Sequence, residues 1–145
     1  MLLQNALNQY FYTMTINELQ LMNTKFQSLN ITYNSLLYLD IISYTDNCTT
    51  TFLAQSLRIS KSAVTIKVNE LVKQGLIIKQ QSKDDKRVFY LKLNDEIADI
   101  YRKYDKALYK AIDVVDKKYS EEEIKTFCNI ITNIEKIYLK EICNE

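Results

Sequence analysis

Between Arg58 and Lys92 the chain carries nine basic side chains (Arg58, Lys61, Lys67, Lys73, Lys79, Lys83, Lys86, Arg87 and Lys92) against three acidic ones, Glu70, Asp84 and Asp85. That stretch is +6, whereas the remainder, with ten basic and fifteen acidic residues, is −5, and the whole chain only +1. Cationic groups concentrated in this way neutralise phosphates, while the rest of the chain repels them. Ser60, Ser62, Thr65 and Asn69 are interleaved with the charges. Their short hydrogen-bonding side chains suit base edges or phosphate oxygens.

Other chemistry is poorly provided for. The chain has no histidine, which removes the commonest general base and transition-metal ligand. With one glycine, Gly75, and no proline, it lacks a glycine-rich phosphate cradle, a dinucleotide fingerprint and a nucleophile elbow. Asp84 and Asp85 are adjacent carboxylates, but Lys83, Lys86 and Arg87 beside them keep them ionised and unreactive. No enzyme activity, metal or cofactor is expected. Cys48, Cys128 and Cys143 are too widely spaced for a CxxC pair or a zinc knuckle. Cys128 and Cys143 share a predicted helix, in which 15 residues separate them by about 22 Å, so they cannot pair within it. All three are expected as buried small apolar residues in a reducing cytosol. No apolar run approaches the roughly 18 residues of a membrane span, and the N-terminus has no signal-peptide pattern, so a cytoplasmic location is expected.

The elements that position the basic stretch follow from periodicity. At 145 residues and 47% hydrophobic, one compact domain, or at most a small domain carrying an extension, is expected without metal or disulfide support. Leu2, Leu3, Ala6, Leu7, Tyr10, Phe11 and Met14 form one helical stripe, and Thr32 to Tyr44 a second, largely buried helix. The polar segment Ser43 to Thr51 ends that helix and starts a short one, Thr50 to Leu57. Ser60 caps a fourth, Lys61 to Gln74, which Gly75 stops. Val64, Val68 and Leu71 make its inner face, and Ser62, Thr65, Ile66, Asn69 and Lys73 its outer one. Leu76 to Gln81 and Val88 to Leu93, separated by SKDDKR, read as a hairpin. A long helix through Ile97 to Val115 follows, then another capped by Ser120 and carrying Ile124, Phe127, Ile131, Ile134, Tyr138 and Ile142. The fold class expected is mainly α, a winged helix-turn-helix with one β-hairpin wing, between N- and C-terminal dimerisation helices. The expected segments are 1–30, 31–93 and 94–145. The terminal helices carry more apolar surface than one winged module can cover, which predicts a homodimer.

The segment FLAQSLRISKSAVTIKVNELVKQGLIIKQQSKDDKRVFYLKLND, about a third of the chain, resembles the winged helix-turn-helix of the MarR family of bacterial transcriptional regulators. The flanking helices follow that family's order. The resemblance implies an obligate homodimer, joined through the first and last two helices, whose winged modules bind a palindromic operator in double-stranded DNA. In many members a small molecule, often phenolic, or a thiol oxidation releases the DNA. LAQSLRIS matches the first helix and turn, SKSAVTIKVNELVKQGL the recognition helix, and SKDDKR the wing, with its acidic Asp85 and basic Arg87. DNA binding is accordingly assigned to Ser62, Thr65, Ile66 and Asn69 at bases and to Ser60, Lys61 and Lys73 at phosphates. At the wing it is assigned to Lys83, Lys86 and Arg87, with Asp85 orienting the tip.

Three positions depart from the family pattern. Arg58 stands where the turn usually has glycine, so the turn either avoids positive φ or carries modest strain. Ile66 replaces a residue that is basic in many members and suits a thymine methyl instead. The sensing cysteine of the N-terminal helix and the zinc-binding histidines are missing, so neither peroxide nor zinc control is expected, and Cys48 aligns with a buried apolar position. A small aromatic effector remains, for which Tyr10, Tyr33, Tyr38 and Tyr104 are candidate contacts, although each of the eleven tyrosines is first expected in the core. The rival reading is a winged helix used for protein contact, which predicts an apolar outer face on the recognition helix. Ser62, Thr65 and Asn69 argue against it, and Ile66 leaves it open.

Overall fold

A computed structural model describes residues 1–24, 26, 29 and 31–143, apart from the Cys143 side chain; the rest of the 1–30 segment lies outside the described residues. The chain forms two units, Met1–Tyr101 and Arg102–Glu145. Its elements are α1 (Leu2–Thr24), α2 (Tyr33–Tyr44), α3 (Thr50–Leu57), α4 (Lys61–Lys73), β1 (Ile77–Gln81), β2 (Phe89–Leu93), α5 (Asp95–Asp116) and α6 (Glu121–Cys143). The expected mainly helical fold with one hairpin is present. The first helix runs ten residues beyond Met14, to Thr24, although Asn17 and Glu18 interrupt the stripe there.

In the first unit the short helices start where side chains satisfy their free N–H groups. Thr32 Oγ1 accepts from the Ser35 amide at 3.2 Å, and Thr49 Oγ1 from the Phe52 amide at 3.1 Å. Leu36, Leu39 and Ile42 of α2 meet Leu53 of α3, Val64, Val68 and Leu71 of α4, Ile77 and Leu91 of the hairpin, and Ile97 of α5 in one buried cluster. Cys48 is fully buried there, its carbonyl accepts from the Leu91 amide at 2.8 Å, and burial pushes its thiol up to about 11. It is an inert core thiol, as expected.

Asp40 of α2 accepts a hydrogen bond from the Tyr101 hydroxyl of α5. Burial raises the Asp40 carboxyl pKa above its ordinary value, outweighing this bond, which favours the anion. The folded chain therefore holds that proton more tightly than the unfolded one. Its contribution to stability is complete below the unfolded pKa of about 3.9 and is lost as pH rises through the folded value. Asp40→Asn keeps an acceptor for Tyr101 without the buried charge. Its melting temperature at pH 7 is expected to exceed the wild type's, with the gap closing below about pH 4; an equal gap at both pH values would rule out this electrostatic cause.

In the second unit α6 begins with a reciprocal cap. Ser120 Oγ accepts from the Glu123 amide, and Glu123 Oε2 accepts from the Ser120 hydroxyl at 2.7 Å and from the Ser120 amide at 2.8 Å, two bonds that hold the Glu123 carboxyl below its usual range. No described side chain between Arg102 and Ile142 is buried. Cys128 is exposed, contrary to the expectation of a core thiol. The tyrosines are corrected likewise. Tyr38 is buried, but eight of the eleven, including Tyr10, Tyr33 and Tyr104, are exposed.

Candidate nucleic-acid interface

The turn between α3 and α4 is tight. Arg58 adopts φ +54° and ψ +40°, with its amide donating to Gln55 O at 3.3 Å, and Ile59 N–H reaches Ala54 O at 3.2 Å. The turn thus uses the left-handed conformation without glycine, at a modest strain cost. Ser60 then caps α4, its Oγ accepting from the Ala63 amide at 3.2 Å and lying 3.0 Å from Ser62 Oγ. At the other end Gly75, at φ +72°, lets the chain turn into the hairpin.

With Val64, Val68 and Leu71 buried, α4 presents Ser62, Thr65, Ile66, Asn69 and Lys73 to solvent. Thr65 Oγ1 donates to Lys61 O at 2.7 Å, so outward it offers lone pairs and a methyl group. Ile66 is 71% exposed. Lys67 is engaged by Glu70 at 2.9 Å, one turn along the helix. Asn69 Oδ1 accepts from Lys79 Nζ of β1 at 2.8 Å.

The wing is built from its turn outward. β1 and β2 pair antiparallel from Ile77↔Leu93 to Gln81↔Phe89, one residue shorter at the first end of each strand than the sequence suggests. Ser82 is buried, and its Oγ accepts from the amides of Asp84 (3.2 Å) and Asp85 (3.4 Å). Gln81 Nε2 donates to Lys86 O at 2.6 Å. Asp85 receives three hydrogen bonds from Arg87: from its amide at 2.9 Å, Nε at 3.1 Å and Nη2 at 3.0 Å. These bonds hold the Asp85 carboxyl below its usual range. The Arg87 side chain is nevertheless 90% exposed. Lys83 and Lys86 are exposed at the same tip.

Lys61, Lys79 and Arg87 line one cleft of about 520 Å³ with Thr49, Thr50 and Thr51 at the start of α3 and Val88, Phe89 and Leu91 of the hairpin. The structure therefore brings two expected site residues, Lys61 and Arg87, to a shared opening; Ser62, Ile66, Lys73, Lys83 and Lys86 are exposed but do not line it. Lys79 was absent from the expected set. Strand alternation puts it on the same face as the buried Ile77, yet in this hairpin only the first residue of β1 is buried. Its place among the nine basic residues was the available signal. No group of acidic, cysteine or histidine side chains among the described residues could hold a metal ion.

No curated protein matches the chain by sequence. The MarR family model matches residues 31–89, from just before α2 into β2. Among solved structures, Streptococcus pneumoniae FabT in complex with DNA is 23% identical, with 97% of this chain and 96% of that one covered at a TM-score of 0.67. Staphylococcus aureus MarR in complex with salicylate and kanamycin is 24% identical over 97% and 95% at 0.56, and a MarR protein from Peptoclostridium difficile 19% identical over 97% and 88% at 0.56. The MarR family model thus matches the helix-turn-helix and most of its wing, and the chain shares the fold of these solved structures over nearly its whole length.

Proposed function

We propose that the protein is a repressor that binds a palindromic operator in double-stranded DNA as a homodimer and is released by a small aromatic effector. The observation that carries the reading is the coincidence of the +6 stretch with an exposed polar face on α4 and an ordered, solvent-facing Arg87. The DNA complex of FabT and the salicylate complex of the S. aureus protein support the two ligand classes. In this reading Ser62, Thr65, Ile66 and Asn69 meet base edges, and Ser60, Lys61 and Lys73 hold phosphates. Lys83, Lys86 and Arg87 engage the flanking groove, with Asp85 orienting the tip. Ile66 packs on a thymine methyl.

Selection of bound fragments from a random DNA pool tests the reading directly: an enriched inverted repeat is expected, and failure to enrich any sequence would remove it. On the enriched site, Asn69→Ala is expected to cost about 1–3 kcal/mol while leaving random DNA nearly unaffected. Lys61→Ala is expected to weaken both alike. Equal losses on both DNAs for Asn69→Ala would exclude it from base reading.

A further inference from the structure

We infer that Asn69 and Lys79 act together as one reader of a guanine edge, Lys79 fixing which end of the Asn69 amide faces the groove. The inference rests on the DNA-binding reading above. Lys79 Nζ lies 2.8 Å from Asn69 Oδ1, joining the third residue of β1 to the outer face of α4. An ammonium group has three donors and no acceptor, so the amide end it meets is the carbonyl oxygen. The Asn69 NH2 group is the end left to the groove.

That orientation changes what asparagine can recognise. A free asparagine pairs with adenine through both ends, its oxygen accepting from N6 and its nitrogen donating to N7. Lys79 takes one of the two lone pairs of Oδ1 and sets its positive charge beside the other, so an adenine N6 donor meets a weakened acceptor next to a cation. The pair thus presents mainly donors, the Asn69 NH2 group beside the unused ammonium hydrogens. Guanine is the base whose major-groove edge carries two acceptors, N7 and O6. Adenine turns its N6 donors, and cytosine its N4 donors, against the pair, while thymine offers one acceptor beside a methyl group. The positive charge of Lys79 strengthens hydrogen bonds to those acceptors.

The test uses the full-length chain and duplexes carrying each base pair in turn at every half-site position. The position read by the pair is the one where Asn69→Ala flattens the base preference. There the wild type is expected to favour guanine over adenine by about tenfold, and replacing that guanine by 7-deazaguanine, which removes only N7, is expected to weaken binding several-fold. Lys79→Met frees Asn69 Oδ1 and is expected to shift the preference at that one position from guanine towards adenine. Two results overturn the assignment: a wild-type preference for adenine at that position, or a Lys79→Met variant weakened equally on every duplex with its guanine preference intact, which makes Lys79 a phosphate contact. A wild-type chain that binds no duplex overturns the DNA reading itself, a result distinct from these two.

Discussion

Arg87→Ala is expected to lower operator affinity at least tenfold and to flatten the dependence of log affinity on log salt by about one phosphate contact. The expectation follows from how the wing tip is made. Ser82 Oγ, Gln81 Nε2 and the Val88 amide fasten the turn internally, and Asp85 then receives both the Arg87 backbone amide and its guanidinium. Of the five guanidinium N–H donors, two are committed to Asp85, which leaves three for DNA. An arginine held in this way loses little side-chain freedom when it enters a narrow A·T-rich minor groove, where the negative potential is deepest. Asp85→Ala is therefore also expected to weaken binding, even though it removes an anion, because the freed tip must be reordered on the DNA. Tighter binding by Asp85→Ala would mean that plain charge repulsion dominates. A solvated surface pair of no consequence would instead leave both variants at wild-type affinity.

Legibility in the sequence divides along physical lines. Helix starts set by local chemistry were readable: Thr50–Leu57 was expected with those bounds, Ser60 and Ser120 are the observed caps, and Gly75 has the positive φ that its type invites. The buried face of α4 followed from 3.6-residue spacing, because a helix on a core has one side to hide. What the sequence leaves open or hides depends on tertiary context. Arg58 takes the left-handed turn that composition assigns to glycine, and only the backbone could decide between the two alternatives. Lys79 was hidden by the period-2 rule, which assumes that a strand stays over the core along its length. Cys128 and eight of the eleven tyrosines, expected in the core, are exposed. Residue type reports a preference for burial, not which molecule supplies the cover.

That missing cover leads to the other large effect, on assembly. α1 has no buried residue although it displays Leu3, Tyr10, Phe11, Met14 and Leu19, and α6 displays Phe127, Ile130, Ile137, Tyr138, Leu139 and Ile142. Exposed apolar stripes of this extent are unusual on monomers, and a second copy of the same chain is the proposed cover. Covering each large side chain is worth roughly 1.5–3 kcal/mol, so several together exceed the roughly 4–15 kcal/mol cost of association. Sedimentation at micromolar concentration is expected to give about twice 17.1 kDa. Phe127→Asp removes one such contact and places an unpaired carboxylate in the joint, which is expected to weaken dimerisation at least about a hundredfold. Phe127 is 61% exposed within one chain, so helix content by circular dichroism is expected to be retained. A dimer holds its second half-site at a high effective concentration, whereas a monomer binds each half-site alone. Operator affinity of Phe127→Asp is thus expected to fall by at least about a hundredfold, while affinity for an isolated half-site stays close to that of the wild type. A monomeric wild-type mass, or equal losses on the full and half operators, would overturn the homodimer and the palindromic operator together.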